Sequence, residues 1–305
     1  MLRRVIIVLL ALVVGTNILF QFMSTDTLYE EGTIDVYFCP GCKDMFIEHL
    51  QGEEQCLFYD LNDPDVLEAV ADVVMFDHNA LEQFPAVPSK GLMHHKFCLY
   101  DDVIITGSTN PTKFGLTRND NNILVIESPT IAARYREEYD EIISRTNKKY
   151  TKVKGTTKVN LSGTFIELYM CPQDDCEDAV LRTLASAQQE VKFMIFTFTS
   201  DPVGDLLVQL HESGISVEGV FEKRQNSQYA EYEKLKEWGL PVFLDGNKGT
   251  MHHKVFIIDE RIVITGSYNP TKSANERNDE NLLIIHDEEI AKKYLAEYER
   301  IKPMS

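Results

Sequence analysis

The sequence predicts an α/β protein made of two tandem repeats behind an N-terminal apolar segment. Three observations carry that expectation. A long gapped motif occurs twice, strands alternate with helices in the fuller copy, and residues 5–22 form a run of 18 mostly apolar positions. With 305 residues, 44% hydrophobic and 26% charged, the chain can bury one large core or two medium ones.

The apolar run comes first. Arg3 and Arg4 precede it and Ser24, Thr25 and Asp26 follow it. A helix of that length just spans the hydrocarbon core. Paired arginines stay on the cytoplasmic side, so residues 1–24 read as a single-pass anchor with the rest of the chain outside the cytoplasm. A cleaved signal peptide, giving a secreted protein, is the alternative. The formal net charge of −18 argues against a protein that neutralises many phosphates along a nucleic acid. Any phosphate must be held at a local site.

Six cysteines follow. Cys39 and Cys42 lie in Cys-Pro-Gly-Cys, and Cys171 and Cys176 in Cys-Pro-Gln-Asp-Asp-Cys. Outside the cytoplasm these read as two local disulfides. A shared four-thiolate zinc site and a CxxC redox pair are the alternatives. Cys56 and Cys98 sit in apolar, strand-like runs and read as buried thiols.

The repeat then organises everything else. Thr106-Gly-Ser-Thr-Asn-Pro-Thr-Lys returns as Thr265-Gly-Ser-Tyr-Asn-Pro-Thr-Lys, and Arg118-Asn-Asp-Asn-Asn as Arg277-Asn-Asp-Glu-Asn, both at an offset of 159. Met93-His-His-Lys matches Met251-His-His-Lys at 158, so the first copy lacks one residue in the intervening turn. The Cys-Pro elements match at 132, which leaves the first copy some 26 residues shorter upstream. Residues 25–147 and 159–305 are therefore the two repeats. Residues 148–158, with Lys148, Lys149, Lys152, Lys154 and Lys158, read as a solvated linker, with a membrane- or phosphate-binding patch as the alternative. In the second repeat, periodicity predicts helices at 177–189, 203–212 and 230–238. Strands are predicted at 191–199, 217–221 and 241–244. That alternation argues for a mostly parallel sheet with helices packed on it.

Around the motif, the apolar runs flanking Asp259-Glu260 read as a β-hairpin. Residues two apart on a strand share a face, so His252 and Lys254 point one way and His253 and Val255 the other. Asp259 has the parity of His253, which argues against a Ser-His-Asp relay through it. It reads as a structural residue of the turn, as Asp101 does in the first copy. His95 and His253 read as inward-facing structural residues. Ser267 and Asn269, again two apart, add a hydroxyl and an amide. An imidazole, an ammonium, a hydroxyl and a carboxamide suit a phosphate's oxygens. A single imidazole attacking phosphorus leaves an alkoxide in need of a proton, and two copies supply two imidazoles.

This constellation resembles the phospholipase D superfamily, whose signature is H-x-K-x4-D-x6-G-S-x-N. The second copy matches at every position. The first copy (His94, Lys96, Asp101, Gly107, Ser108, Asn110) has five residues instead of six before its glycine. The resemblance implies two phospholipase D-like repeats in a bilobal, pseudo-twofold domain of mixed sheets flanked by helices, complete as a monomer. It also implies a phosphohistidine intermediate and neither metal nor cofactor. The implied catalytic set is His94, Lys96, Asn110, His252, Lys254, Asn269 and Glu280, with Ser108 and Ser267 binding phosphate. Relatives place a glutamate after the motif to orient the histidine. Glu280 fits that role, whereas the first copy carries Asn121. His252 is accordingly expected to be the better-oriented imidazole and the nucleophile, although two-motif relatives often use the N-terminal histidine.

Lys90, Lys113, Arg118, Lys248, Lys272 and Arg277 near the motifs read as a locally positive pocket, or more plainly as surface residues. The expected substrate is a phosphodiester, with the anchor favouring a phospholipid headgroup. A metal-independent endonuclease acting on DNA or RNA is the alternative, and a non-catalytic phosphate-binding module the second. The sequence shows no interleaved aromatic and basic platform for stacked bases.

Overall fold

The computed structural model describes residues 27–50, 52, 54–76, 79–146 and 155–303. The apolar run at 5–22 and Lys148, Lys149, Lys152 and Lys154 lie outside them. Among the described residues no helix is long and apolar enough to cross a membrane.

Each repeat forms a sheet. The first is ordered β2-β8-β7-β6-β3-β4-β5 (Thr33–Cys39, Asn121–Glu127, Val103–Gly107, Lys96–Tyr100, Gln55–Phe58, Asp72–Phe76, Ala86–Val87). The second is ordered β1-β9-β10-β16-β15-β14-β11-β12-β13 (Leu28–Glu30, Thr157–Leu161, Thr164–Cys171, Glu280–His286, Ile262–Gly266, Lys254–Ile258, Glu190–Ile195, Ser216–Phe221, Val242–Leu244). Strands β10 to β16 repeat the order of β2 to β8, so the two sheets are related by the duplication.

The mostly parallel expectation is corrected. Four of six neighbouring strand pairs in the first sheet and five of eight in the second are antiparallel. The motif strand turns straight back, and a hairpin can only join antiparallel neighbours. Parallel pairing in this part of each repeat is confined to its far end (β3-β4-β5 and β11-β12-β13), where longer crossovers intervene. The missing residue lies where expected. Asp101 and Asp102 alone separate β6 from β7, whereas Asp259, Glu260 and Arg261 separate β14 from β15.

Two long helices, α4 (Pro129–Thr146) and α9 (Glu288–Ile301), complete the inner layer. Tyr135, Ile142, Tyr294 and Tyr298 from them join Leu57, Phe97, Leu168, Val255 and Leu283 in one core shared by both lobes. Shorter helices cover the outer faces, among them α5 (Cys176–Leu184) and α6 (Asp201–Glu212). Burial on both faces explains why β14 and β16 read as nearly unbroken apolar runs.

Polar groups fix the register between lobes. The Asn122 amide donates to Thr265 Oγ1 and the Tyr294 hydroxyl, each at 2.9 Å. Asn281 mirrors it with Thr106 Oγ1 at 3.3 Å and the Tyr135 hydroxyl at 3.0 Å. Each such bond contributes roughly 1 kcal/mol net, but leaving its buried partner unmade costs more.

Strand β1 departs from the expected boundary. Leu28–Glu30 lies inside the first repeat by sequence, yet it pairs in parallel with β9 at the edge of the second sheet. Its Glu30 carboxylate then accepts from Ser128 and from Thr130 Oγ1 at the start of α4 in the first lobe.

Cys39 is bonded to Cys42 and Cys171 to Cys176. Cys56 and Cys98, expected as buried thiols, are bonded to one another. They face each other directly across β3 and β6, a pairing visible only once the strands are aligned.

Candidate active site

Lys96 opens β6 and Lys254 opens β14, and each motif histidine sits two residues earlier, where its strand crosses to the other lobe. The His94 backbone N–H donates to Asp279 O at 2.9 Å, and that of His252 to Asp120 O at 2.8 Å. Each motif is thus tied to the opposite lobe at its histidine. The glycines at the ends of β7 and β15 permit a close approach within each sheet, to β8 and to β16. Gly107 and Gly266 have φ of +134° and +133°, and a Cβ there would lie 2.3 Å from Asn122 O or 2.4 Å from Asn281 O.

His94 and His252 are 7% and 9% exposed, and Lys96 and Lys254 only 2% each. Both ammonium groups donate to the carbonyl of their own motif histidine at 2.6 Å. Burial pushes Lys96 down to about 7 and Lys254 well below its ordinary value, and Lys96 adds to the effect on Lys254. Burial likewise lowers His94 to about 4, helped by Lys96 and Lys254 and opposed by Glu280. It holds His252 well below 6.5, with Lys254, Lys96 and His94 acting in the same direction. All four groups feel one another, and the centre is electropositive and short of an anion.

One expectation about partners is overturned. Glu280 was expected to orient the histidine of its own repeat, but its Oε2 accepts from His94 Nδ1 across the interface at 2.7 Å. His252 Nδ1 instead donates to Asn121 Oδ1 at 2.9 Å and Ser108 O at 3.0 Å. The carboxylate therefore belongs to His94, and His252 has only neutral acceptors. Burial works to raise Glu280, yet His94, Lys96 and the Ser267 hydroxyl hold it below the usual range. A carboxylate there keeps the proton on Nδ1, leaves the Nε2 lone pair free and stabilises positive charge on the ring.

The serines are corrected as well. Ser108 and Ser267 are fully buried, and they donate to Asn121 Oδ1 at 3.0 Å and Glu280 Oε2 at 2.7 Å. Their hydroxyl protons are thus engaged by the groups that face the histidines. Asn269 accepts from Thr197 N at 3.2 Å through Oδ1, which leaves its amide N–H free to donate. Asn110 Oδ1 is buried without a hydrogen bond.

Asp259 sits in the turn at φ +51° and accepts from the backbone of Gln188, Gln189 and Glu190. Asp101 occupies the same turn at φ +45°, where its carbonyl accepts from Arg136. His95 and His253 are completely buried and face Glu138 at 3.1 Å and Glu297 at 3.0 Å. Their opposite direction from His94 and His252 follows from strand parity.

Sequence reasoning missed two aromatic rings. Tyr59 lies edge-on to His94 at 5.0 Å and under Lys96 at 5.3 Å. Phe196 lies edge-on to His252 at 4.5 Å and under Lys254 at 4.7 Å. They are equivalent at the ends of β3 and β11, but their offset of 137 fits none of the three repeat offsets, so duplication alone does not reveal them.

Comparison with known proteins places the chain among phospholipase D-like relatives. The family described as cardiolipin synthase, PLD-like domain, matches residues 65–143 and 180–302. The chain is similar to mitochondrial cardiolipin hydrolase of Canis lupus familiaris, 36% identical over 126 residues, covering 40% of this chain and 48% of that protein. It is also similar to phospholipase D of Rickettsia typhi, 27% identical over 146 residues, covering 48% and 72%. The chain thus spans about half the length of the first of these curated relatives. Among solved structures, phosphatidylserine synthase of Haemophilus influenzae Rd KW20 superposes with a TM-score of 0.64 at 14% identity, over 87% of this chain and 85% of that one. That likeness is one of fold.

Proposed function

The chain belongs to the cardiolipin synthase, PLD-like domain family, and from that membership and the geometry of the paired motifs we propose that it is a phosphodiesterase working through a phosphohistidine on His94. The observation that carries the reading is the meeting of two buried His-Lys pairs from opposite lobes, one with a carboxylate behind it and one without.

Lys96, Lys254 and the amide groups of Asn110 and Asn269 take the non-bridging oxygens. The negative charge of the phosphate offsets the mutual repulsion of the lysines, which restores their protons on binding. His94 Nε2 attacks phosphorus as the bond to the leaving oxygen breaks, and His252, as imidazolium, passes its Nε2 proton to that oxygen. Neutral His252 then takes a proton from water, whose oxygen attacks phosphorus and breaks the P–N bond. Glu280 stabilises the charge that His94 carries while phosphorylated. An imidazolium partnered only by neutral acceptors is the stronger acid, which suits His252 to protonating the leaving group. The names of the relatives support a phospholipid linkage as one substrate, and the apolar run at 5–22 supports a place at a bilayer.

The test is an acid quench during turnover of a phosphorus-labelled diester, followed by peptide mapping. Label is expected on the peptide that contains His94. Label on His252 would reverse the assigned roles, and no label under burst conditions would remove the covalent step.

A further inference from the structure

Each motif histidine is held at two points by one dipeptide of the opposite lobe. Asp279 O accepts from the His94 backbone N–H at 2.9 Å, and Glu280 Oε2 from its ring at 2.7 Å. Asp120 O accepts from the His252 N–H at 2.8 Å, and Asn121 Oδ1 from its ring at 2.9 Å. The aspartate N–H groups close each contact into a short parallel bridge, donating to Leu92 O at 2.8 Å and to Thr250 O at 2.9 Å. Where each aspartate sits therefore sets where the facing imidazole enters the centre. Both aspartates lie outside the motif, and both are buried.

What fixes each aspartate is an arginine from the histidine's own lobe. Arg300, on α9, donates through Nη2 to Asp120 Oδ1 at 2.5 Å. Arg145, in the last turn of α4, donates through Nη1 to Asp279 Oδ2 at 2.6 Å, and Ser89 Oγ donates to the same oxygen at 3.0 Å. Each arginine is aimed in turn by a carboxylate of its own helix. Glu297 accepts from Arg300 Nε and Nη2 at 2.7 Å each, and Glu141 from Arg145 Nη2 at 3.1 Å. Duplication does not account for these clamps. At the offset of 159 that relates α4 to α9, Arg300 corresponds to Glu141 and Arg145 to Met304. The aspartates are equivalent and the arginines are not, so the two lobes reach the same ion pair from positions four residues apart. Adhesion between the lobes is already supplied by the shared apolar core and by the Asn122 and Asn281 bonds. A half-buried ion pair adds little to that. The same aspartate gripped by two different routes points to its position as the thing that is held.

We propose that Asp279 with Arg145 and Asp120 with Arg300 are positioning residues of the reaction, the first pair for His94 as nucleophile and the second for His252 as carrier of the proton. The proposal rests on the phosphodiesterase reading and deepens it. Neither pair touches the phosphate; each acts through the carbonyl that holds its histidine and through the residue next to that carbonyl, which holds the ring. Freed from its arginine, a buried aspartate shifts toward water and takes the imidazole with it, and a displacement of about 1 Å costs on the order of a hundredfold in rate.

The experiment uses the full chain in detergent micelles and two diesters of similar shape, bis(p-nitrophenyl) phosphate and diphenyl phosphate. Phenolate is the more basic leaving group and depends more on a proton donor. Arg145→Met displaces the nucleophile, so kcat/KM should fall about tenfold or more, and alike on both diesters. Arg300→Met displaces the acid, so its loss should be at least about fivefold larger on diphenyl phosphate than on bis(p-nitrophenyl) phosphate. Acid quench during turnover of the nitrophenyl diester should trap more phosphoenzyme in Arg300→Met than in the wild-type chain, because breakdown needs His252 as base. Arg145→Met should trap no more than wild type. Glu141→Arg added to Arg145→Met copies the second lobe's arrangement and should recover most of the lost activity. Melting is followed throughout, and Asp120→Asn or Asp279→Asn, which leave no unpaired buried carboxylate, replace an arginine variant that does not fold. Losses from both variants that ignore the leaving group, or trapped phosphoenzyme that rises in neither, would overturn the proposal and leave the pairs as adhesion. The same split with the variants exchanged would uphold the clamps and reverse the roles of the histidines. A wild-type chain that turns over neither diester would refute the catalytic reading, and the positioning roles with it.

Discussion

Replacing Asn121 by aspartate tests the division of labour between the two imidazoles. In the structure Asn121 Oδ1 accepts from His252 Nδ1 at 2.9 Å and from Ser108 Oγ at 3.0 Å, and both bonds survive in a carboxylate. What changes is a full negative charge about 4 Å from the centre of the ring. At an effective dielectric of about 20, that attraction amounts to roughly 4 kcal/mol in favour of imidazolium. Burial of the new charge removes part of it. So does the loss of the amide's bond to Gly115 O at 3.0 Å, which puts two oxygens face to face and costs about 1–3 kcal/mol of stability.

The assay is kcat/KM for bis(p-nitrophenyl) phosphate against pH, with melting followed in parallel. His94 attacks only when neutral, so activity falls as pH drops through about 4. His252 donates only when protonated, and its value is held well below 6.5, so activity is lost again on the alkaline side of an acidic optimum. A carboxylate raises that second value, and the alkaline limb of Asn121→Asp should move up by at least about one pH unit while the acid limb stays. An unmoved alkaline limb in a folded variant would refute the assignment of His252 as the acid.

Other consequences follow from the same geometry. His94→Ala and His252→Ala should each lower kcat by at least about a thousandfold, because one phosphorus needs both rings; a half-active single variant would mean two independent sites. Two imidazoles and two ammonium groups supply nucleophile, acid and charge, so turnover is expected to persist in chelator, and complete loss would argue for a bound metal. Removing the Cys56–Cys98 link, which closes a separation of 42 residues, should cost about 4 kcal/mol in chemical denaturation on the chain-entropy estimate; a loss under 1 kcal/mol would mean that strand pairing alone holds β3 to β6.

Much of this was legible in the residues. The duplication, the residue missing from the Asp101 turn and the opposite directions of His253 and Lys254 all follow from spacing and the period of a strand. The partner of Glu280 does not. A duplicated sequence gives the same local pattern whether a side chain serves its own copy or the other, and only the meeting of the lobes decides. Cys56 and Cys98 were hidden for a related reason, since their contact depends on β3 lying beside β6, 42 residues away. Ser108 and Ser267 looked ready for phosphate because their spacing places them at the right strand end. Their side chains turn inward to Asn121 and Glu280, and spacing carries no information about rotamer.

Strand β1 has a mechanical meaning. It begins six residues after the apolar run, lies along the rim of the second lobe, and through Glu30 grips the first residues of a helix in the other. Any pull from the N-terminus is therefore shared between both halves of the centre instead of prying them apart. A nick in the lysine-rich stretch at 148–154 would likewise leave the halves strapped together by the chain ahead of it.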